Sequence, residues 1–515
     1  VQTVLSPAAS GDSWYLLASL LALAVPVGAG LLAAGLGRGK NAAHTMTLAL
    51  LSLPLAVLAV AAVGFGLMCG GTGTAVAAGR WLLGPHGWGF AGGRYFFLVG
   101  ATPLATAAVL AAIARVAAAA AIPIGATAER WRVDAFSCFT VVLSAVIVPV
   151  GACWVWGGGW IARLGGIDVG GSAAIHLQAG AVALVTARLL GPRAGKFDLR
   201  GRPRPIVGHH LPIAMLGNAL TAIGIVGLNL LGSAPANAAA ALLNTILAGA
   251  AGAAAAALLT RRLYRRPDPS LIGNGLLAGL VAVAAGCTIE SPGVALATGA
   301  IAGCLVVPAV LLLERRGVDD PVGAISTHGL GGLWGTLAVG LFSGRPAQYW
   351  VQAAMALACV VWPAVSAATA FVVIGWWMRG NRVAPAVESL GLDIPQLGVA
   401  AYPEFLNPMT THPVEARPLE PRPAHLPANT TGRRRYAVVI DGADPSSLIA
   451  AWSALCQARE AGPSPHFAAV YPYLTTVSGN RFRFNGGEPA LVRSNLEQLL
   501  AGALDGRPLN ARVES

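Results

Sequence analysis

Charge is what this sequence has least of. Only 11% of its 515 residues are Asp, Glu, Lys or Arg, against the roughly 25% usual in soluble globular chains. That is too little polar surface to cover such a body in water, and a soluble enzyme is excluded. Cysteine is sparse and unpatterned: Cys69, Cys138, Cys153, Cys287, Cys304, Cys359 and Cys456 form no CxxC pair and no metal-ligand spacing, so neither a zinc site nor a disulfide framework is expected. A nucleotide-binding glycine loop, a kinase motif and a nucleophile–base arrangement are missing too, so no cofactor and no enzymatic activity are expected.

Apolar residues are plentiful instead, at 55% of the chain with a mean hydropathy of +0.65. The net charge of +12 could signal a nucleic-acid partner. Its distribution argues otherwise, because Lys and Arg sit in short clusters between long apolar runs, the pattern of a polytopic membrane protein. No nucleic acid is expected. The partner is the lipid bilayer.

About 20 apolar residues cross a bilayer as a helix. That length predicts eleven spans, near 14–36, 44–68, 97–122, 136–156, 170–191, 210–231, 236–262, 272–288, 292–313, 327–345 and 350–378. Basic clusters follow the odd-numbered spans, among them Arg38 and Lys40, Arg130 and Arg132, Arg261 to Arg266, Arg315 and Arg316, and Arg379 and Arg382. The positive-inside rule then predicts an amino terminus outside and a carboxyl terminus in the cytoplasm. The sequence opens at Val1 without a basic leader, so no signal peptide is read in it, and one removed earlier is left open.

Histidine inside a span is costly and needs a reason. Asp168-Val-Gly-Gly-Ser-Ala-Ala-Ile-His176 opens the fifth span and Asp320-Pro-Val-Gly-Ala-Ile-Ser-Thr-His328 opens the tenth. Each puts an Asp eight residues before a His. If the first ten spans form two five-helix halves, the odd number per half inverts the second, and both imidazoles come to the bilayer centre, where inverted-repeat transporters hold their substrate. Each His could instead merely bond a neighbouring helix. Matched frames favour a pore lined by both, suited to a small molecule that crosses largely uncharged, since a neutral imidazole offers one donor and one acceptor.

These two motifs, with Gly329-Leu-Gly-Gly-Leu-Trp-Gly335, resemble the ammonium transporter family (Amt/Mep/Rh). Trp154-Val-Trp-Gly-Gly-Gly159, Gly125-Ala-Thr-Ala-Glu-Arg130 and Gly391-Leu-Asp-Ile-Pro-Gln-Leu-Gly-Val-Ala-Ala-Tyr402 extend the resemblance over about residues 12–402. It implies an all-α fold of eleven transmembrane helices with inverted five-helix repeats, assembled as a homotrimer with one pore per subunit in the cytoplasmic membrane. It further implies that ammonium is recruited outside, deprotonated, and conducted as ammonia past twin histidines. By position His176 and His328 resemble that pair, Asp168 the structural or recruitment carboxylate near the outer end, and Trp156 the tryptophan of the outer cation–π site. Trp156 can also be read as an aromatic-belt anchor. A PII-type signalling protein at the cytoplasmic face is a further partner that the resemblance brings into view.

Two positions depart from the family. Counted without gaps, its gating phenylalanines fall here at Arg115 and Leu228. An Arg at mid-span costs about 2.5 to 3.5 kcal/mol, so it is expected to be paired, snorkelling or functional. Facing the pore, it would repel an ammonium ion at about 4 Å by about 4 kcal/mol, more than a cation–π attraction of about 2. Either Arg115 faces elsewhere or recruitment of the cation fails.

Residues 403–434 hold seven prolines and read as a linker. Beyond it, 435–515 predict strands at 436–440, 466–474, 481–484 and 509–513 with helices at 445–460 and 487–503, an α+β ferredoxin-like cytosolic domain with a regulatory role. The expected function is passive ammonium/ammonia transport, with an ammonium sensor signalling through the C-terminal domain as the alternative.

Overall fold

The computed structural model describes residues 12–69, 80–83, 88–101, 105–403, 435–441, 474–478, 480–485, 489–504 and 509–514, with a few single positions between 444 and 470. It divides into two compact units, Val1–His412 and Pro413–Ser515. The linker expected at 403–434 lies outside the described residues apart from its first position.

Among the described residues of the first unit, ten helices are long and apolar enough to cross a membrane: Ser13–Leu36, Gly39–Cys69, Thr106–Thr127, Val133–Arg163, Ser172–Leu190, Leu211–Leu231, Pro235–Tyr264, Pro269–Gly286, Pro292–Arg315 and Pro346–Trp377. The predicted span at 327–345 is helical too, as Ile325–Leu330 running into Gly331–Phe342, but Ser326, Thr327, His328 and several glycines keep its hydropathy below that of the ten. The predicted third span begins late. Tyr95, Phe97 and Leu98 hold left-handed backbone, with φ of 64°, 53° and 58°, so the segment near 97 cannot enter a right-handed helix. The helix runs instead over Ala105–Thr127, through Pro123.

Small residues set the helix spacing, as packing in lipid requires. A Cβ on Gly28 would overlap the backbone of Thr221, and one on Gly217 the backbone of Leu32, so the first and sixth helices meet backbone to backbone. β1 (Arg80–Leu83) and β2 (Trp88–Gly92) pair antiparallel beside the helices.

One end of the bundle is tied by a buried ion cluster. Glu129 accepts from Asn41 Nδ2 at 2.9 Å and Arg193 Nη1 at 3.0 Å and pairs with Arg38. Asp319 accepts from Arg193 Nε and Nη2 at 2.9 and 3.0 Å and from the Arg193 backbone at 2.8 Å, with Arg130 at 3.7 Å. Asp393 accepts from the His44 backbone N–H at 2.8 Å, which satisfies an orphan donor at the start of the second helix.

The second unit carries a four-stranded antiparallel sheet of β3 (Arg435–Asp441), β4 (Leu474–Ser478), β5 (Arg481–Asn485) and β6 (Asn510–Glu514) in the order β4-β5-β3-β6. Val438, Ile440, Phe482 and Phe484 from its inner face and Leu496 and Leu500 from helix Pro489–Ala503 are buried in one core. The described strand β4 begins at Leu474, the last residue of the strand predicted at 466–474; within that prediction only Val470 and Leu474 are among the described positions, and most of the helix expected at 445–460 lies outside them too.

Candidate functional site

The two Asp-to-His motifs fold alike. Asp168 accepts backbone N–H bonds from Gly171, Ala173 and Ala174 at 3.1, 3.0 and 2.8 Å. Asp320 accepts from Gly323, Ala324 and Ile325 at 3.0, 3.1 and 2.7 Å. A left-handed glycine follows each, Gly171 at φ 104° and Gly323 at φ 75°. Each carboxylate thus caps a helix whose first turn is a π-helix, Ser172–Leu177 and Ile325–Leu330, and each π turn carries the histidine. Wide turns of this kind recur at functional sites because they re-aim a side chain.

The rings meet. His328 Nδ1 lies 3.2 Å from His176 Nδ1, with ring centroids 5.1 Å apart and planes at 22°. Both side chains are buried. One Nδ1 must donate and the other accept, so the rings hold opposite tautomers. One then offers a bare Nε2 as acceptor and the other an Nε2–H as donor. Exchanging these roles without separating charge takes three proton movements together: the Nδ1 proton crosses between the rings, the bare Nε2 takes up a proton and the other Nε2–H gives one up.

The remaining sequence-predicted residues lie on elements packed around this pair. Trp156 Nε1 donates to the Asp168 carbonyl at 2.6 Å. Arg115 is buried, its Cζ stands 4.7 Å from the centroid of the Trp156 ring, and its Nη2 donates to the Leu231 carbonyl at 3.2 Å. Among the described residues no carboxylate forms a salt bridge with it, so it neither snorkels nor sits in an ion pair. Of the readings open for Asp168, the bonds describe a structural cap. Leu228, one turn before Leu231, is fully buried in the main apolar core. The neighbouring Trp154 joins Phe90, Trp160 and Trp362 in an aromatic cluster, with centroids 5.4 to 6.0 Å from its own ring.

The profile of the family described as Ammonium Transporter Family matches residues 13–402. The chain belongs to the ammonium transporter family. It is 35% identical over 444 residues to ammonium transporter Amt2 of Archaeoglobus fulgidus, covering 78% of this chain and 90% of that protein. It is 32% identical over 430 residues to ammonium transporter Amt1 of Haloferax mediterranei, covering 76% and 79%. Among solved structures it resembles one titled Sensor Amt Protein, with a TM-score of 0.69 and 27% identity over 75% of this chain and 98% of that one. Mep2 of Candida albicans shares the fold, with a TM-score of 0.66 over 78% of this chain and 91% of that one. The chain is therefore a multi-pass membrane protein of a family of transporters, not enzymes.

In this ammonium transporter family member, a small cavity of about 20 Å³ lies against His328, lined by Ile122, Thr221, Asn274 and Thr327 among others. It has room for about one water-sized molecule. Thr221 and Thr327 have buried hydroxyls with no hydrogen-bond partner among the described residues. Thr327 lies inside the second histidine motif, whereas Thr221 belongs to no motif, and its only signal was a hydroxyl on an otherwise apolar span.

Close backbone approach holds the imidazoles together. A Cβ on Gly180 would overlap the backbone of Gly329, and one on Gly332 the carbonyl of Ser172. Gly180→Leu is therefore expected to push the helices that carry His176 and His328 apart, lowering stability by about 1 to 3 kcal/mol and removing flux together. A variant with unchanged thermal midpoint and flux would show that this contact does not set the ring separation.

Proposed function

We propose that the chain conducts ammonium as ammonia through a twin-histidine pore formed by His176 and His328 within an eleven-helix, inverted-repeat subunit of a homotrimer. The 3.2 Å Nδ1 contact between histidines from matched motifs carries this reading. Its topology has the amino terminus outside, placing Trp156, Asp168 and Arg115 toward the outer mouth and Glu129, Arg193 and Asp319 toward the cytoplasm of a cell membrane. The sheet order β4-β5-β3-β6 supports a ferredoxin-like domain at 435–515 with a regulatory role, joined by the linker at 403–434. A PII-type protein is a second regulatory partner in this reading.

One observation favours the alternative. Arg115 over the Trp156 face is a poor arrangement for importing a cation, and it suits a sensor that binds ammonium and signals through its C-terminal domain. The related structure titled Sensor Amt Protein adds weight on that side. The two readings separate in vesicles containing the full chain. Lumenal pH rise on ammonium addition, faster than in protein-free vesicles, supports conduction; saturable ammonium binding without that rise supports the sensor.

A further inference from the structure

We propose that Arg115 is a resident cation that fills the aromatic site and restricts the pore to neutral ammonia, an inference that rests on the conduction reading above. A cation is held by an indole when it stands within about 6 Å of the ring centroid. The guanidinium already does so at 4.7 Å. The rest of Trp156 is engaged, its Nε1–H by the Asp168 carbonyl and its body by two apolar clusters. The Asp168 carboxylate, in turn, is held by the backbone N–H groups of Gly171, Ala173 and Ala174.

An ammonium ion reaching this ring must therefore sit against a guanidinium, which carries the same positive sign, or expel it. Expulsion would break the bond to the Leu231 carbonyl and move a buried side chain. A fixed arginine that excludes cations from a narrow path is a known way to make a pore pass neutral solutes.

Hydrogen-bond chemistry points the same way. Arg115 Nε–H is buried with no partner among the described residues, and a guanidinium can only donate. Ammonia has a lone pair to accept that bond; ammonium has none. Past Arg115, the neutral histidine pair offers one acceptor and one donor, which ammonia satisfies as well.

The reaction then balances without charge movement. Outside, ammonium gives its proton to bulk water and becomes ammonia. Ammonia crosses. Inside, it takes a proton from water, forming ammonium and hydroxide, so the lumen turns alkaline while no net charge has crossed.

The test uses the full chain in vesicles, with a lumenal pH dye and, in parallel, current recorded on a supported membrane after a jump in ammonium chloride. Wild type is expected to alkalinise the lumen faster than protein-free vesicles and to give no ammonium-dependent current. Arg115→Lys, which keeps the charge, should behave alike, whereas Arg115→Gln should gain a current that saturates with ammonium. Elution in the same oligomeric state as wild type confirms that each variant has folded. A saturable current in wild type, or a silent Arg115→Gln that still alkalinises the lumen, overturns the selectivity inference alone. Absence of both signals in wild type overturns the conduction reading, and the inference with it.

Discussion

Replacing His328 with alanine is expected to lower protein-dependent ammonia flux about a hundredfold, and His176→Ala to do nearly the same. The two Nδ1 atoms satisfy one another at 3.2 Å in a buried setting. Removing one ring strands the other nitrogen, and an unsatisfied buried group costs about 1 to 3 kcal/mol. It also interrupts the donor and acceptor sequence that a crossing ammonia would use, and a barrier rise near 2.7 kcal/mol is about a hundredfold in rate. Because the rings act as a unit, the double variant should lose little more than either single one. Lumenal alkalinisation in vesicles measures all three. Flux that survives in His328→Ala would remove the histidines from the path.

The largest stability effect is expected at the other end of the bundle. Asp319→Asn should cost about 3 to 5 kcal/mol, the usual consequence of removing one partner from a buried ion cluster. Arg193 addresses this carboxylate through three N–H groups, and Arg130 lies 3.7 Å away; both arginines are buried and would keep their charge unbalanced. Burial alone would raise the Asp319 carboxyl, but Arg130 and Arg193 outweigh it and hold it down to about 2. The sign follows from that depression. The folded state prefers the ionised form, so the contribution is complete above the unfolded value of about 3.9 and is lost as pH falls toward 2. Thermal midpoints of wild type and Asp319→Asn should stay apart between pH 5 and 8 and draw together in acid. A gap that does not change with pH would assign the loss to packing instead.

Much of the membrane unit was legible because lipid imposes simple constraints. Length and apolarity located the ten long helices to within a few residues at most ends, since a spanning segment can satisfy its backbone in few other ways. The eight-residue spacing from Asp168 to His176 and from Asp320 to His328 revealed the matched motifs. Their π turns were not legible: hydrophobic period says nothing of a single widened turn. The late start of the third helix escaped for a local reason, the left-handed backbone at Tyr95, Phe97 and Leu98. Arg115 could be flagged as out of place, but its direction could not be read, because the choice between the Trp156 face and another neighbour depends on contacts over 40 residues apart in the chain. The polar lining beside His328, from Thr221 and Asn274, came from helices that no motif tied to the site. In the second unit, alternation found β5 at Arg481–Asn485, while the strand predicted at 466–474 meets the described β4 only at Leu474.

The contact between the two rings can be observed directly by nitrogen NMR on protein with 15N-labelled histidine in lipid, where the nine histidines are assigned with His176→Ala and His328→Ala. A shared proton predicts one ring protonated at Nδ1, its partner bare at Nδ1, and a coupling between the two nitrogens across the hydrogen bond. Two rings both protonated at Nε2, with no such coupling, would contradict the account.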